Sequence, residues 1–346
     1  MIGAALLFPV LILSLYGIGE YIRFILLGEE PFSAGKLARA LGFGIIFHGL
    51  LMTLLGFIGL LHPLVAAILT AIPAIILYKT WYRDLLILFQ KLRTSPTPSL
   101  NPIEIVLIAL IALLMLVRLF NAFAPNISWD ATSHHYLVPS EWLKTGLFHD
   151  MPSVVFSYYP SLIEAGIVGT MALANDFLSN LYGWIFGALA ALSLVGIGMR
   201  HFDGDSVELN SSNGKIVKIS RVRMTGIIAA FLFTVLPGVG VQTSGGYVDL
   251  PLACFTLLAA DMVLEYSKRP FTRTVIAAGL FAGAVLSTKH TGLIAFIGLL
   301  ILLIWILNYG GKNQISSAGK WKSALLFIGL AILIPLPWYI LSLIHI

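Results

Sequence analysis

Three polar stretches interrupt an otherwise apolar chain, and their residue types suit one kind of chemistry. The first reads Ser128-Trp129-Asp130-Ala131-Thr132-Ser133-His134-His135-Tyr136, followed by Tyr158-Tyr159-Pro160 and Glu164. Asp130 and His134 are four apart, so a helix beginning here sets both on one face. The second stretch is Gly245-Gly246-Tyr247-Val248-Asp249-Leu250-Pro251. Paired glycines permit close approach of backbone to a ligand. Asp249 stands where an apolar helix begins, and a helix N-cap accounts for it equally well. The third, Ser287-Thr288-Lys289-His290-Thr291, sets a cation between two apolar runs. A lysine near a helix end also snorkels. Yet ionisable groups at membrane depth are functional candidates by default, and a lone ammonium holds phosphate as a point charge. A carboxylate to take a proton and a cation to hold a phosphate are the parts needed for group transfer away from a phosphate.

The elements that must position these residues are membrane helices. Of 346 residues, 58% are hydrophobic and 11% charged, and the mean hydropathy is +0.94. A soluble domain is about 45–50% apolar and about 25% charged, so a soluble globular protein, a disordered chain and a nucleic-acid binder are all excluded. The net charge of +5 needs no polyanionic partner, because Lys and Arg collect in cytoplasmic loops. The single cysteine, Cys254, permits no disulfide within the chain. We expect an all-α polytopic protein with about ten spans, near Ile2–Leu27, Ala40–Leu61, Pro63–Tyr78, Ile103–Ala122, Phe177–Met199, Met224–Pro237, Leu250–Glu265, Thr274–Leu286, Thr291–Leu307 and Ser323–Ile344. The polar stretch Asp203–Gly214 reads as a mobile loop. Ser161–Ala174 is apolar but about 21 Å long as a helix, too short for a ~30 Å core, and reads as re-entrant or interfacial.

Charge fixes the orientation. With Ser161–Ala174 not crossing, four loops share one side and hold fifteen of the 21 lysines and arginines, while the opposite loops hold Lys144 and Lys289. By the positive-inside rule the basic side is cytoplasmic. All three polar stretches therefore open on the other face, as parts of one site. The segment around Asp130, too polar to span and too apolar to float free, is expected to lie on the membrane and cover something.

At these residues the chain resembles the GT-C superfamily of integral-membrane glycosyltransferases. The likeness rests on an ordered series: Trp129-Asp130 and Tyr136, Tyr159-Pro160 with Glu164, Tyr247-Val248-Asp249, Thr288-Lys289-His290-Thr291-Gly292, and Pro337-Trp338-Tyr339. It covers roughly Pro102 to Tyr339, and is nearest to the branch of lipid A aminoarabinose transferases, rhizobial lipopolysaccharide sugar transferases and protein O-mannosyltransferases. The resemblance implies a sugar donor carried on polyprenyl phosphate, in contact with membrane lipid, and a glycan, lipid or protein acceptor on the non-cytoplasmic face. It implies Asp130 as general base, and Asp249 as a second acid that organises acceptor, donor phosphate or a metal. Lys289 falls to the lipid phosphate, and His134, His135, Tyr136, Tyr159, Glu164, Tyr247 and His290 to substrate contacts. A divalent metal on Asp130, Asp249 or Glu164 stays open; no Cys/His cluster has structural zinc spacing.

The resemblance divides the chain into N-terminal spans and a basic linker (1–102) and a catalytic region (103–346). It departs from relatives that carry Lys-Pro-Pro or His-Pro-Pro where this chain has Tyr159-Pro160-Ser161. The chain ends inside an apolar helix without the soluble C-terminal domain of some members, which fits a piece of a longer protein. The location expected is a bacterial or archaeal cytoplasmic membrane with the site facing outward. The alternative is a transporter or flippase of a lipid-linked or anionic substrate, which places polar groups at the midplane and often shows two matched halves; no internal repeat and no convincing midplane acid are evident.

Overall fold

The first two helices, α1 (Ile2–Leu27) and α2 (Ala34–Phe57), cross with their backbones nearly touching. A Cβ on Gly19 would collide with the Ala40 carbonyl, and one on Gly44 with the Leu15 carbonyl. Small residues at such crossings let membrane helices pack by van der Waals contact, which lipid tails do not otherwise drive. The computed structural model describes residues 1–94, 100–149, 151–202, 206–210, 216–309 and 316–345.

The remaining helices follow as α3 (Pro63–Ile76), α4 (Tyr78–Thr94), α5 (Pro102–Asn121), α6 (Leu137–Thr145), α7 (Leu162–Leu173), α8 (Asp176–His201), α9 (Arg221–Val235), α10 (Pro237–Thr243), α11 (Asp249–Lys268), α12 (Thr272–Thr288), α13 (Gly292–Tyr309), α14 (Ser317–Leu333) and α15 (Leu336–His345). Among the described residues, six helices are long and apolar enough to cross a membrane, and nine spans result if each of three bent pairs counts as one. The tenth expected span, α12, has 17 residues, about 26 Å at 1.5 Å per residue. The chain is a polytopic helical membrane protein.

Where the boundaries differ from expectation, the causes are local. Helix α2 begins six residues earlier than its hydropathy suggests, because Lys36 and Arg39 are neutralised by acids from other helices. It stops at Phe57 because Gly59 takes a left-handed φ of 73°. The basic segment after α3 is not a loop but α4, bent 53° from α3 and held by Asp84, which accepts from Tyr16 Oη at 2.5 Å and Lys36 Nζ at 2.6 Å. The span near Met224–Pro237 turns by 75° into α10 at Pro237, and the last span bends by 56° between α14 and α15, where Pro335 and Pro337 interrupt it. Arg118 on α5, which its position near a helix end suggests would snorkel, is instead buried and donates to the Thr234 carbonyl. That carbonyl lies in the last turn of α9 and has lost its intrahelical donor.

Among the described residues two strands also form. Ser206–Asn210 pairs antiparallel with Ile216–Ser220, in register from Ser206 opposite Ser220 to Asn210 opposite Ile216. The polar stretch Asp203–Gly214 was expected as loop throughout, yet apolar residues alternate at 207 and 209 and at 217 and 219, the period of a strand. Residues 203–205 and 211–214 of that expectation lie outside the described residues.

Two features position the site. Helix α7 is 12 residues long and buried from Leu162 to Thr170, too short to cross, and packs among α2, α3 and α8. It is a short buried helix inside the bundle rather than a span. The connection after α5 is clamped by an aromatic cluster. Trp142, fully buried on α6, lies 4.2 Å from the Phe148 ring and 5.8 Å from Trp338 on α15, and Trp338 meets Phe57 at the end of α2 at 5.6 Å.

Candidate active site

Between α5 and α6 the chain runs through a five-residue π-helical turn, Ala131–His135, closed by the Tyr136 N–H donating to the Ala131 carbonyl at 2.8 Å. Single π turns occur often at functional sites. The turn presents Asp130, His134 and His135 to one side, where they line a cavity of about 130 Å³ with Phe156, Tyr159, Pro160, Glu164, Val248, Asp249, Thr288 and Lys289. All three polar stretches thus meet on one cavity at the end of the bundle opposite the basic loops.

Its electrostatics are asymmetric. Among the described residues no hydrogen bond or ion pair holds the half-buried Asp130 carboxylate on the cavity wall. Asp249 was expected either as a cap or as a site acid. It is the first residue of α11 and makes no cap; it accepts from Lys289 Nζ at 2.8 Å and from Gln242 Nε2 at 3.4 Å. Lys289, expected as a lone cation, is therefore paired. The pair is about half exposed, 40% for the lysine and 45% for the aspartate. Such a pair is held weakly and can yield to a stronger anion.

His135 and Glu164 form a buried contact, Nδ1 to Oε1, of 2.7 Å, while the other Glu164 oxygen is buried without a partner. His134 stacks on Phe156 with ring centroids 4.0 Å apart, and its Nδ1 lies 2.9 Å from Ser133 Oγ. Burial, and next the neighbouring His135, lower its pKa to about 4, so His134 is neutral at physiological pH.

Three of the expected contact residues sit elsewhere. Tyr136 faces a neighbouring cavity of about 430 Å³ and donates to Asn180 Oδ1 at 2.5 Å; burial pushes the pKa of its hydroxyl up. Tyr247 lines a third hollow, with Gly245 and Asn126. His290 stands edge-on to Tyr159 at 4.5 Å, behind the cavity wall. Phe156 and Gln242 escaped the sequence reading: one is an aromatic among many, and the other gains its meaning only from the fold that brings it to Asp249. For a metal, the acids do not converge. Asp249 is engaged by Lys289 and Glu164 by His135, and among the described residues no group of three or more His, Cys, Asp or Glu side chains is placed to hold an ion.

Comparison with known proteins finds a match in the second half of the chain. Residues 215–345 match the family model of dolichyl-phosphate-mannose-protein mannosyltransferases. That stretch contains Asp249, Lys289 and Trp338. No curated protein and no solved structure matches the chain. The matched family is one of the GT-C superfamily, the superfamily whose motifs the chain resembles.

Proposed function

We propose that the protein transfers a sugar from a polyprenyl-phosphate carrier to a glycan, lipid or protein acceptor at the outer end of the bundle, with residues 103–346 carrying the reaction behind the N-terminal spans. The membrane is a bacterial or archaeal cytoplasmic membrane, with the basic loops inside. The observation that carries this reading is the free Asp130 carboxylate on the same small cavity as Lys289.

The step is an in-line displacement. The acceptor hydroxyl or amine gives its proton to Asp130 as its oxygen or nitrogen bonds to the anomeric carbon. The bond from that carbon to the phosphate oxygen breaks, configuration inverts, and the polyprenyl phosphate leaves with the bonding electrons. Lys289 exchanges its Asp249 partner for the phosphate and meets the charge that develops there. His135, fixed by Glu164, and Tyr159 line the path of the sugar. No step is routed through a metal, because the acids present do not converge on one.

The test is transfer in membranes containing the protein, supplied with polyprenyl-phosphate sugars and candidate acceptors. Asp130→Asn is expected to lower the rate by about 10²–10⁴ while leaving the protein folded and able to bind polyprenyl phosphate. Transfer at the wild-type rate in Asp130→Asn would overturn the proposed role.

A further inference from the structure

At the basic end of the bundle, far from the candidate active site, the ends of five helices enclose the most spacious of the cavities described, about 890 Å³. Arg39, Arg200, Lys268, Arg269 and Arg273 line it, against Glu29, Glu30 and Glu265. Much of this charge is already matched. Arg39 pairs with Glu30 and Asp261, Arg200 with Asp261, and Arg269 with Glu265. Two cations are left. Lys268, at the end of α11, donates only to the Arg200 carbonyl, and Arg273, at the start of α12, only to the Ile25 carbonyl at 3.3 Å. Among the described residues neither lies within ion-pair distance of a carboxylate.

Between those two cations begins α12, whose first turn has no side-chain cap and no acidic residue. The N–H groups of Thr272 and Arg273 have no intrahelical acceptor, and a helix N-terminus of this kind favours an anion. Within the cavity Arg39 Nε is also buried without a partner. The remaining wall is apolar: Leu26, Leu27, Met199, Met262 and the exposed Phe271. A free phosphate has no use for such a wall, whereas a phospholipid brings acyl chains to the same level as its headgroup. Basic pockets between transmembrane helices on the cytoplasmic side suit anionic headgroups, and the charge asymmetry assigns this side to the cytoplasm.

We infer that this cavity binds the headgroup of an anionic phospholipid of the cytoplasmic leaflet, its phosphate held by Lys268, Arg273 and the N-terminus of α12. The lipid joins the ends of α1, α8, α11 and α12. It stands apart from the donor site, and the inference holds or fails independently of the proposed transferase activity.

The experiment is native mass spectrometry of the full chain, delipidated in detergent and titrated with phosphatidylglycerol, with phosphatidylcholine or with inorganic phosphate. Wild-type protein is expected to retain phosphatidylglycerol in preference to phosphatidylcholine. At about 1 kcal/mol for each basic residue near a lipid surface, Lys268→Ala with Arg273→Ala weakens retention on the order of thirtyfold. Lys320→Ala with Lys322→Ala, on the same face but away from the cavity, leaves it unchanged. Thr272→Glu sets a carboxylate at the exposed helix start without removing any contact, and is expected to abolish the adduct while keeping the fold. Equal retention in Thr272→Glu and wild type would overturn the site. Inorganic phosphate that competes at the same concentration as the lipid would overturn the lipid assignment.

Discussion

Lys289 and Asp249 are joined at 2.8 Å although forty residues separate them in the chain. The contact links the loop after α12 to the first residue of α11 on the rim of the cavity that Asp130 faces. Each group shields the other while the site holds no phosphate. In the proposed reaction a phosphate that reaches Lys289 competes with the Asp249 carboxylate for the same ammonium.

That exchange predicts opposite effects of two substitutions. Lys289→Ala removes the cation and is expected to weaken binding of bare polyprenyl phosphate by tenfold or more, about 1.5–3 kcal/mol for a hydrogen bond to a charged group. Asp249→Asn removes the competitor. Because a half-exposed pair is worth about 0.2–1 kcal/mol, binding of the bare phosphate is expected to tighten up to about fivefold. Titration of both variants with a polyprenyl phosphate, followed by intrinsic fluorescence, checks the two signs. Weaker binding in Asp249→Asn would mean that the aspartate contacts the ligand directly.

Stability in acid is predicted to depend on His134. Its folded pKa is about 4, below the unfolded value of about 6.5. Between these values the unfolded chain binds a proton that the folded chain refuses, so stability falls as pH drops from about 6.5 toward 4 and is unaffected by this group above 6.5. Thermal melts across that window are expected to show a smaller loss in His134→Asn than in wild type. An identical slope would show that His134 titrates normally.

Glu164 is predicted to be a positioning residue for His135. Glu164→Ala leaves the His135 ring without its buried acceptor and is expected to cost about 1.5–3 kcal/mol of stability. Glu164→Gln keeps an acceptor oxygen at the same place. It is expected to recover most of the melting temperature and, with the His135 ring held in place, most of the transfer rate. A transfer rate unchanged in Glu164→Ala would make the contact purely structural.

How much of this was legible in the sequence depends on the distance over which each feature is decided. Helix α1 is where hydropathy put it, and α5, α8 and α13 lie within two residues of expectation, because a run of apolar side chains is a local property. The cavity was legible too: Asp130, Asp249 and Lys289 lie on one face once the basic loops are set on the other. The pairing of Lys289 was not, since the sequence shows a cation without the geometry that brings Asp249 to it. Nor were the roles of Glu20, Arg23, Lys36 and Arg39. A hydropathy window counts each as a cost, and only their mutual contacts, such as Arg23 Nε to Glu20 at 2.6 Å and Lys36 to Asp84 at 2.6 Å, turn the cost into structure. The strand pair 206–210 and 216–220 was missed, because a short polar stretch between two spans reads first as loop.

The buried ion network gives a further prediction. Asp261 on α11 accepts from Arg39, Arg200 and His201 and so ties α2, α8 and α11 together. Asp261→Ala leaves Arg39 and Arg200 to share the half-buried Glu30 and removes their buried carboxylate, and is expected to cost about 3–5 kcal/mol, read as a lower melting temperature in detergent. Asp261→Asn is expected to fall between the two. A neutral effect of Asp261→Ala would mean that water replaces the carboxylate.

The aromatic cluster around Trp142 has a consequence in time. Trp142 is held by Trp338, which the ribosome adds 196 residues later, on the order of ten to forty seconds at ordinary rates of synthesis. Before α15 is inserted, Trp142 already has the Phe148 ring to pack on, and Phe148 meets Phe57 at the end of α2 with ring centroids 5.5 Å apart. The ends of α2 and α6 are therefore joined early, and Trp338 closes over a cluster whose other rings were made long before it.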